Sequence, residues 1–269
     1  MDISNNPYIT TDGPKMKRSI VAFVDILGYK SICTEKCAEE NLKKIHRALA
    51  QSREYVDPKH DTFYNPDRKD SFAFSAHSDS IIIGYPILHN LRKKEPSETF
   101  KKIARLQMNL ALEGFFIRGG ISIGEIYMDN IIVFGPAFIE AYEAEKNTAS
   151  VPRIVLADSA RTVINNQMGY SAASLHNTYL RKDVDDTYFI HYLDALITSK
   201  EYFDNGLTLH KTAIENKLKL HKNDPSVLNK YRWSAGYHNY YCNSYHNICD
   251  TMKVNVEDYS APIRMVAEQ

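Results

Sequence analysis

The strongest constraint on this chain is a carboxylate at the end of a segment that reads as buried. Residues Ser19 to Ile26, SIVAFVDI, form a β-branched, nearly continuous apolar run, the pattern of a strand covered on both faces. Asp25 sits near its end. An ionised carboxylate taken out of water costs several kcal/mol, on the order of 3, unless it is paired or bound to a cation. Asp25 therefore needs a compensating group, or it caps the turn that Gly28 closes.

The pattern around this strand gives the organisation of the chain. From Cys33 to Val56 the apolar Leu42, Ile45, Leu49 and Val56 recur at helical spacing, and Asp57-Pro58 ends the helix. The polar stretch from Asp57 to Asp70 reads as a loop, followed by two strands, SFAFSAH and SIIIGYPI, joined through Ser78 and Asp79 as a hairpin. Phe100, Ile103, Ala104, Gln107, Leu110 and Ala111 mark a second helical face, and FFIRGGISIGEIY and NIIVFG are further strands around a short Asp-Asn turn. The order β-α-β-β-α-β predicts an α+β, ferredoxin-like core: an antiparallel sheet with helices on one face, extended by another hairpin strand. Pro136 is placed to start a helix through AFIEAYEAEK, and RIVLAD (153–158) and YFIHYL (188–193) read as strands. A compact domain over residues 15–196 is expected, with 197–269 a C-terminal helical extension, a lid or a dimerisation arm. It consists of helices at Glu201–Lys222 and Pro225–Cys249, the second rich in aromatic residues.

Charge and cysteine usage narrow the partners. Lysine plus arginine equals aspartate plus glutamate, 33 against 33, so no broad basic field points to a nucleic acid or an anionic membrane. The N-terminal residues lack a basic segment followed by an apolar one, and no apolar run approaches a bilayer span; a cytoplasmic protein is the expectation. Its four cysteines are then expected to be thiols.

Asp79 in its Ser-Asp-Ser turn is either an ordinary turn residue or a second ligand. In a split βαβ sheet the first strand lies beside the hairpin, so Asp25 and Asp79 converge at one edge. They would repel without a cation, and their hard oxygens suit Mg²⁺ or Mn²⁺. Arg118 precedes Gly119-Gly120, a pair that lets a backbone approach a ligand such as a phosphate; it otherwise pairs with a local carboxylate such as Glu125, and the glycines mark a bulge. His238, Cys242, His246 and Cys249 share one face of the last helix, but a straight helix cannot aim four ligands spread over three turns at one ion, so packing is expected. Cys33 and Cys37 lack the second half of a metal site.

Taken together, these residues resemble the class III nucleotidyl cyclases across roughly residues 15 to 160. Phe23-Val24-Asp25-Ile26-Leu27-Gly28-Tyr29 is similar to the family's Phe-x-Asp-Ile motif, Ser78-Asp79-Ser80 to its Gly-Asp hairpin turn, and Arg118 through Glu125 (RGGISIGE) to the strand that follows. Phe134-Gly135-Pro136-Ala137 with Ala141 resembles the start of the helix that carries the family's asparagine and arginine. The resemblance implies that Asp25, Asp79 and the Ile26 carbonyl hold two Mn²⁺ or Mg²⁺ ions, which lower the 3′-hydroxyl pKa and clamp the α-phosphate as pyrophosphate leaves in line. Arg118 is the candidate for stabilising phosphate charge in the transition state.

The departures refine the expectation. Ile139 and Glu143 stand where the family has its asparagine and arginine, so Arg118 or Lys146 must supply the missing donor. Ser75 and Ile132 stand where purine cyclases read the base. With the RGGISIGE block and the aromatic segment Trp233 to Asn239, these losses resemble the bacterial Pycsar pyrimidine cyclases of antiphage defence. That implies UTP as preferred substrate and cyclic UMP as product. It also implies a homodimer with active sites at the interface and a separate effector with a cyclic-nucleotide-binding domain; no nucleic acid and no membrane enter. CTP, a purine triphosphate, and a catalytically degenerate nucleotide-binding or dimerisation module are the alternatives. For base contacts, Phe23 shares a strand face with Asp25 and abuts the nucleotide unless it is simply core, and Ser75 can hydrogen-bond a smaller base.

Overall fold

The computed structural model describes residues 6–56, 72–87, 94–167, 179–197, 200–244 and 250–255. A short hairpin, β1 (Ile9–Thr10) and β2 (Gly13–Pro14), leads into the long strand β3 (Lys17–Ile26). Helices α1 (Tyr29–Thr34) and α2 (Ala38–Val56) follow, then the hairpin β4 (Ala73–His77) and β5 (Ser80–Pro86), helix α3 (Lys94–Leu112) and strand β6 (Ile117–Met128). β3 lies between β5 and β6, antiparallel to both, and β4 pairs outside β5. This is the βαββαβ core that the order of patterns predicts.

The sheet continues past β6. After β7 (Val133–Phe134) and α4 (Pro136–Thr148), β8 (Ile154–Leu156) adds parallel to β6. Beyond helix α5 (Asp158–Gln167), β10 (Tyr188–Ile190) and β9 (Leu180–Lys182) complete that side. Helices α6 (Lys200–Leu220) and α7 (Pro225–Ser244) end the described fold apart from a single turn at Asp250–Met252.

Alternation along β3 splits its side chains between two buried layers. Ile20, Ala22, Val24 and Ile26 face a cluster that includes Ala48 of α2, Phe100 and Ile103 of α3, Ile214 of α6 and Trp233 and Tyr237 of α7. One continuous core thus runs from the central strand to the last helices. Val21 and Phe23 face the other way, toward Tyr8 and the small residues Ala137 and Ala141 of α4. Helices therefore cover both faces of the sheet, not one, because α4 brings a second apolar stripe to the face that carries Asp25.

Several elements differ from the pattern-based expectation for local reasons. The single helix from Cys33 is two helices: Glu35 turns extended, and the Asn41 side-chain amide donates to the Ile32 carbonyl that the end of α1 leaves open. Of NIIVFG, only Val133 and Phe134 are strand, because the Asp129 carboxylate accepts the backbone N–H groups of Ile131 and Ile132, both at 2.8 Å, and holds them in a turn. YFIHYL stops pairing at Ile190 and coils into a 3₁₀ turn at Tyr192–Leu196, where His191 Nε2 lies 3.3 Å from Asp194 Oδ1. The expected loop at 57–70, with His246 and Cys249, lies outside the described residues.

Candidate active site

The register of the sheet assembles the site. Asp25 lies opposite Ser80 of β5 on one side and opposite Arg118 of β6 on the other. His77 of β4 pairs with Ser80, so His77, Ser80, Asp25 and Arg118 form one row across four strands. The β4–β5 turn is tight enough to put Ser78 at φ 58°, and its Asp79 carbonyl accepts the Ile26 N–H at 2.9 Å. That bond ties the hairpin turn to the end of β3. It brings together the two aspartates that the sequence singled out.

Burial, and next the charge of Asp79, push the Asp25 carboxyl above its usual range; the Arg118 guanidinium opposes them without prevailing. Asp79 acts on Asp25 through its charge and through a side-chain hydrogen bond. Arg118 Nε is 3.5 Å from Asp25 Oδ2, and 2.6 Å from Oε1 of a third acid, Glu145, on α4. Glu145 is 4% exposed, and its carboxyl is also raised, first by burial, with Arg118 lowering it and the charges of Asp25 and Asp79 adding to the rise. The Nε–H is not aligned on Oε1, so the contact is an ion pair rather than a directed hydrogen bond.

Glu145 escaped the sequence reading, which looked at Ile139 and Glu143 on the same helix. Both of those are exposed, Ile139 to 56%. The available signal was the spacing: Ala137, Ala141 and Glu145 recur at four-residue steps, and all three are buried. Lys146 is also exposed, its ammonium 5.9 Å from the Tyr142 ring centroid. Of the two candidate replacement cations, Arg118 is the one paired with Asp25.

The glycine pair after Arg118 serves packing rather than a ligand. A Cβ at Gly120 would lie 2.1 Å from the Ala141 carbonyl oxygen, and one at Gly119 would lie 2.5 Å from the Phe23 carbonyl oxygen. The close backbone approach expected of a phosphate is made instead by α4 and by β3. Arg118 pairs with Asp25 and Glu145, and Glu125 lies opposite Arg18. Phe23 is 6% exposed and meets the rings of Phe138 and Tyr142 edge-on, at 5.9 and 5.4 Å. Ser75 is buried on β4, in the same cross-strand row as Ile82 and Phe23, and therefore on the Asp25 face.

His238 and Cys242 are remote from this row. His238 Nε2 donates to the Met252 carbonyl at 2.9 Å, which leaves its Nδ1 to accept from His210 Nδ1, also at 2.9 Å, while His210 Nε2 accepts from the Tyr192 hydroxyl at 2.8 Å. This chain ties α6 and α7 together with both rings neutral, and burial lowers the pKa of each. Cys33 and Cys37 are exposed free thiols. Among the described residues, no three His, Cys, Asp or Glu side chains gather closely enough to hold a metal ion. The donor set at the candidate site is two carboxylates, with the Ile26 carbonyl next in the chain, and its hard oxygens and only partly compensated repulsion fit a Mg²⁺- or Mn²⁺-sized divalent cation.

No protein-family profile matches the sequence, and no curated protein matches it. Solved structures do match. The adenylyl cyclase CyaB from P. aeruginosa aligns over 65% of this chain and 94% of its own, at 13% identity and a TM-score of 0.48. The guanylyl cyclase Cya2 aligns over 56% of this chain and 78% of its own, at 14% identity and a TM-score of 0.41. A class III adenylyl cyclase-like ATP-binding protein from Pseudomonas aeruginosa aligns over 86% of this chain and 46% of its own, at 13% identity and a TM-score of 0.44. No described helix is long and apolar enough to cross a membrane.

Proposed function

We propose that this chain is a metal-dependent nucleotidyl cyclase that converts UTP to 3′,5′-cyclic UMP and pyrophosphate. The observation that carries the reading is the meeting of Asp25, at the C-terminal end of the central strand β3, with Asp79 of the β4–β5 turn, and Arg118 opposite Asp25. In the reaction the 3′-oxygen forms a bond to the α-phosphorus, the bond from that phosphorus to the bridging oxygen of the β-phosphate breaks, and the hydroxyl proton passes to solvent. Asp25, Asp79 and the Ile26 carbonyl would hold Mg²⁺ or Mn²⁺. When bound, the ions supply Lewis-acid activation of the 3′-hydroxyl and neutralise charge on the phosphates. Asp25 and Asp79 fix the position of the reacting end of the nucleotide, and Arg118 offers guanidinium N–H donors to its phosphate oxygens.

Substrate choice follows from the face that carries the acids. Ser75 and Phe23 lie in one row on it, and neither position 75 nor Ile132 offers the charged or acidic reader of a purine base. This favours a pyrimidine, with UTP ahead of CTP on the resemblance to Pycsar cyclases, and the product then acts on a separate cyclic-nucleotide-binding effector. A homodimer is part of the proposal, supported by the exposed apolar side chains of Ile132, of Phe134 on β7, and of Ile139 and Tyr142 on α4, 40% to 60% exposed. One observation favours a second reading, a nucleotide-binding module without catalysis: α4 presents Ile139 and Glu143, not an asparagine and an arginine. Incubation of purified protein with Mn²⁺ and each of UTP, CTP, ATP and GTP, with products identified by mass spectrometry, decides. Cyclic UMP is the expected product. A cyclic purine overturns the substrate assignment, and nucleotide binding without any cyclic product makes the module reading the right one.

A further inference from the structure

The reaction as proposed uses Arg118 and gives Glu145 no task, yet Glu145 is the buried acid that contacts Arg118 most closely. Three features of the fold converge on this contact. Gly120 has no side chain, so the Ala141–Glu145 turn of α4 descends until a Cβ on Gly120 would lie 2.1 Å from the Ala141 carbonyl oxygen and 3.0 Å from the Glu145 nitrogen. Glu145 is thereby set over the neighbouring residue of β6, with its Oε1 2.6 Å from Arg118 Nε. The Glu145 side chain is 5% exposed, but that of Arg118 is 28% exposed. The Arg118 Nε is therefore buried against Glu145 while part of the Arg118 side chain stays exposed.

The closest contacts of Arg118 with both Asp25 and Glu145 are through Nε, and neither terminal nitrogen makes a directed hydrogen bond to a described residue. A guanidinium is a rigid planar fork whose orientation turns on the bond to Nε. A buried acid packed against that atom restrains where the guanidinium sits and leaves its terminal N–H donors on the side toward an oxyanion. Holding such donors in place before the reaction is what makes them effective against developing phosphate charge.

We infer that Glu145 is the positioning residue for Arg118: it grips Nε so that the two terminal nitrogens present a fixed fork to the phosphate oxygens of the bound nucleotide. This rests on the cyclase reading and deepens it. It also gives α4 a part in the site through its buried face, although the exposed Ile139 and Glu143 carry no phosphate donor.

The test is a double-mutant cycle of Glu145→Gln, Arg118→Ala and the pair, with Glu145→Asp as conservative variant, each checked for native circular dichroism. Misplacement of a catalytic group by about 1 Å costs on the order of 100-fold in rate. Glu145→Gln is expected to lower kcat by about that factor with KM within about threefold of wild type. The pair is expected to be no worse than Arg118→Ala alone, and Glu145→Asp to regain part of the loss. Independent losses that multiply in the pair, or a Glu145→Gln enzyme as fast as or faster than wild type, overturn the positioning role. Binding of inorganic pyrophosphate with Mg²⁺, read by calorimetry, should show the same coupling without turnover. A wild-type chain that binds pyrophosphate in a Glu145-dependent way but makes no cyclic product sinks the cyclase reading alone. Cyclisation unaffected by Glu145→Gln sinks the positioning role alone, and a chain that neither cyclises nor binds pyrophosphate sinks both.

Discussion

Replacing Gly120 by alanine tests the step on which the geometry of the site depends. The added methyl would sit 2.1 Å from the Ala141 carbonyl oxygen and 2.8 Å from the Ala144 Cβ. An ordinary carbon-to-oxygen contact is about 3.3 Å or more, so α4 must retreat from β6 by roughly 1 Å. The atoms in the way are helix backbone, which cannot swing aside as a long side chain can. Overpacking of this kind costs about 1 to 3 kcal/mol, and for a chain of this size each kcal/mol moves the melting temperature by about 2 to 4 °C. A drop of several degrees by circular dichroism is expected, together with a fall in the rate of the proposed cyclisation as Glu145 is drawn off Arg118. Gly124→Ala is the internal comparison: its Cβ would meet the Ala137 Cβ at 3.3 Å, a contact that small adjustments relieve. If Gly120→Ala melts within a degree of wild type, or no lower than Gly124→Ala, the account of how α4 docks is wrong.

Other consequences are equally direct. Because burial and Asp79 hold the Asp25 carboxyl above its usual range, the folded chain binds a proton more tightly than the unfolded one, and metal-free stability falls as pH rises through the carboxylate range. Asp25→Asn should therefore melt higher than wild type in EDTA at neutral pH and lose the stabilisation that Mn²⁺ gives wild type; an unchanged or lower melting point would contradict this. Arg153 is 2% exposed and pairs with Asp183 and Asp185, while the Trp233 indole donates to Asp183 at 2.8 Å. Arg153→Ala strands a buried carboxylate and should cost about 3 to 5 kcal/mol in urea unfolding; a loss below about 1 kcal/mol would show that the pair is not held as described. Burial, and then His238, keep His210 well below its usual pKa, so the unfolded chain takes up the extra proton as pH falls through the ordinary histidine value of 6.5. Melting temperature should decline between pH 7 and pH 5.5, and His210→Gln should flatten that decline; equal slopes would refute the assignment of neutral rings.

What the sequence revealed, and what it hid, divides along a physical line. The run at Ser19 to Ile26, the hairpin around Asp79 and the strand after Phe116 carry their hydrophobic periods openly, so the β-α-β-β-α-β order was legible, and with it the meeting of Asp25 and Asp79. The short strand β9 and the helix α5 carry too few apolar residues to stand out from their surroundings. The Asx turn at Asp129 and the 3₁₀ turn at Tyr192 interrupt runs that read as strands, because the two backbone hydrogen bonds to Asp129 and the His191–Asp194 contact there outweigh β propensity. Glu145 stayed hidden because its role arises from packing: its importance depends on the missing side chain of Gly120, 25 residues earlier and on another element. The sequence left the glycine pair open between a ligand approach and a bulge, since close approach of a helix and of a phosphate demand the same absence of a Cβ.

The central claim is that Asp25 and Asp79 act as one catalytic pair. It is tested most directly by the initial rate of cyclic UMP and pyrophosphate formation from UTP with Mn²⁺, in wild type, Asp25→Asn and Asp79→Asn, with each variant shown to be folded. Wild type should release the two products in equimolar amounts, and either variant should lose both. Retention of the wild-type rate by either variant would contradict that claim.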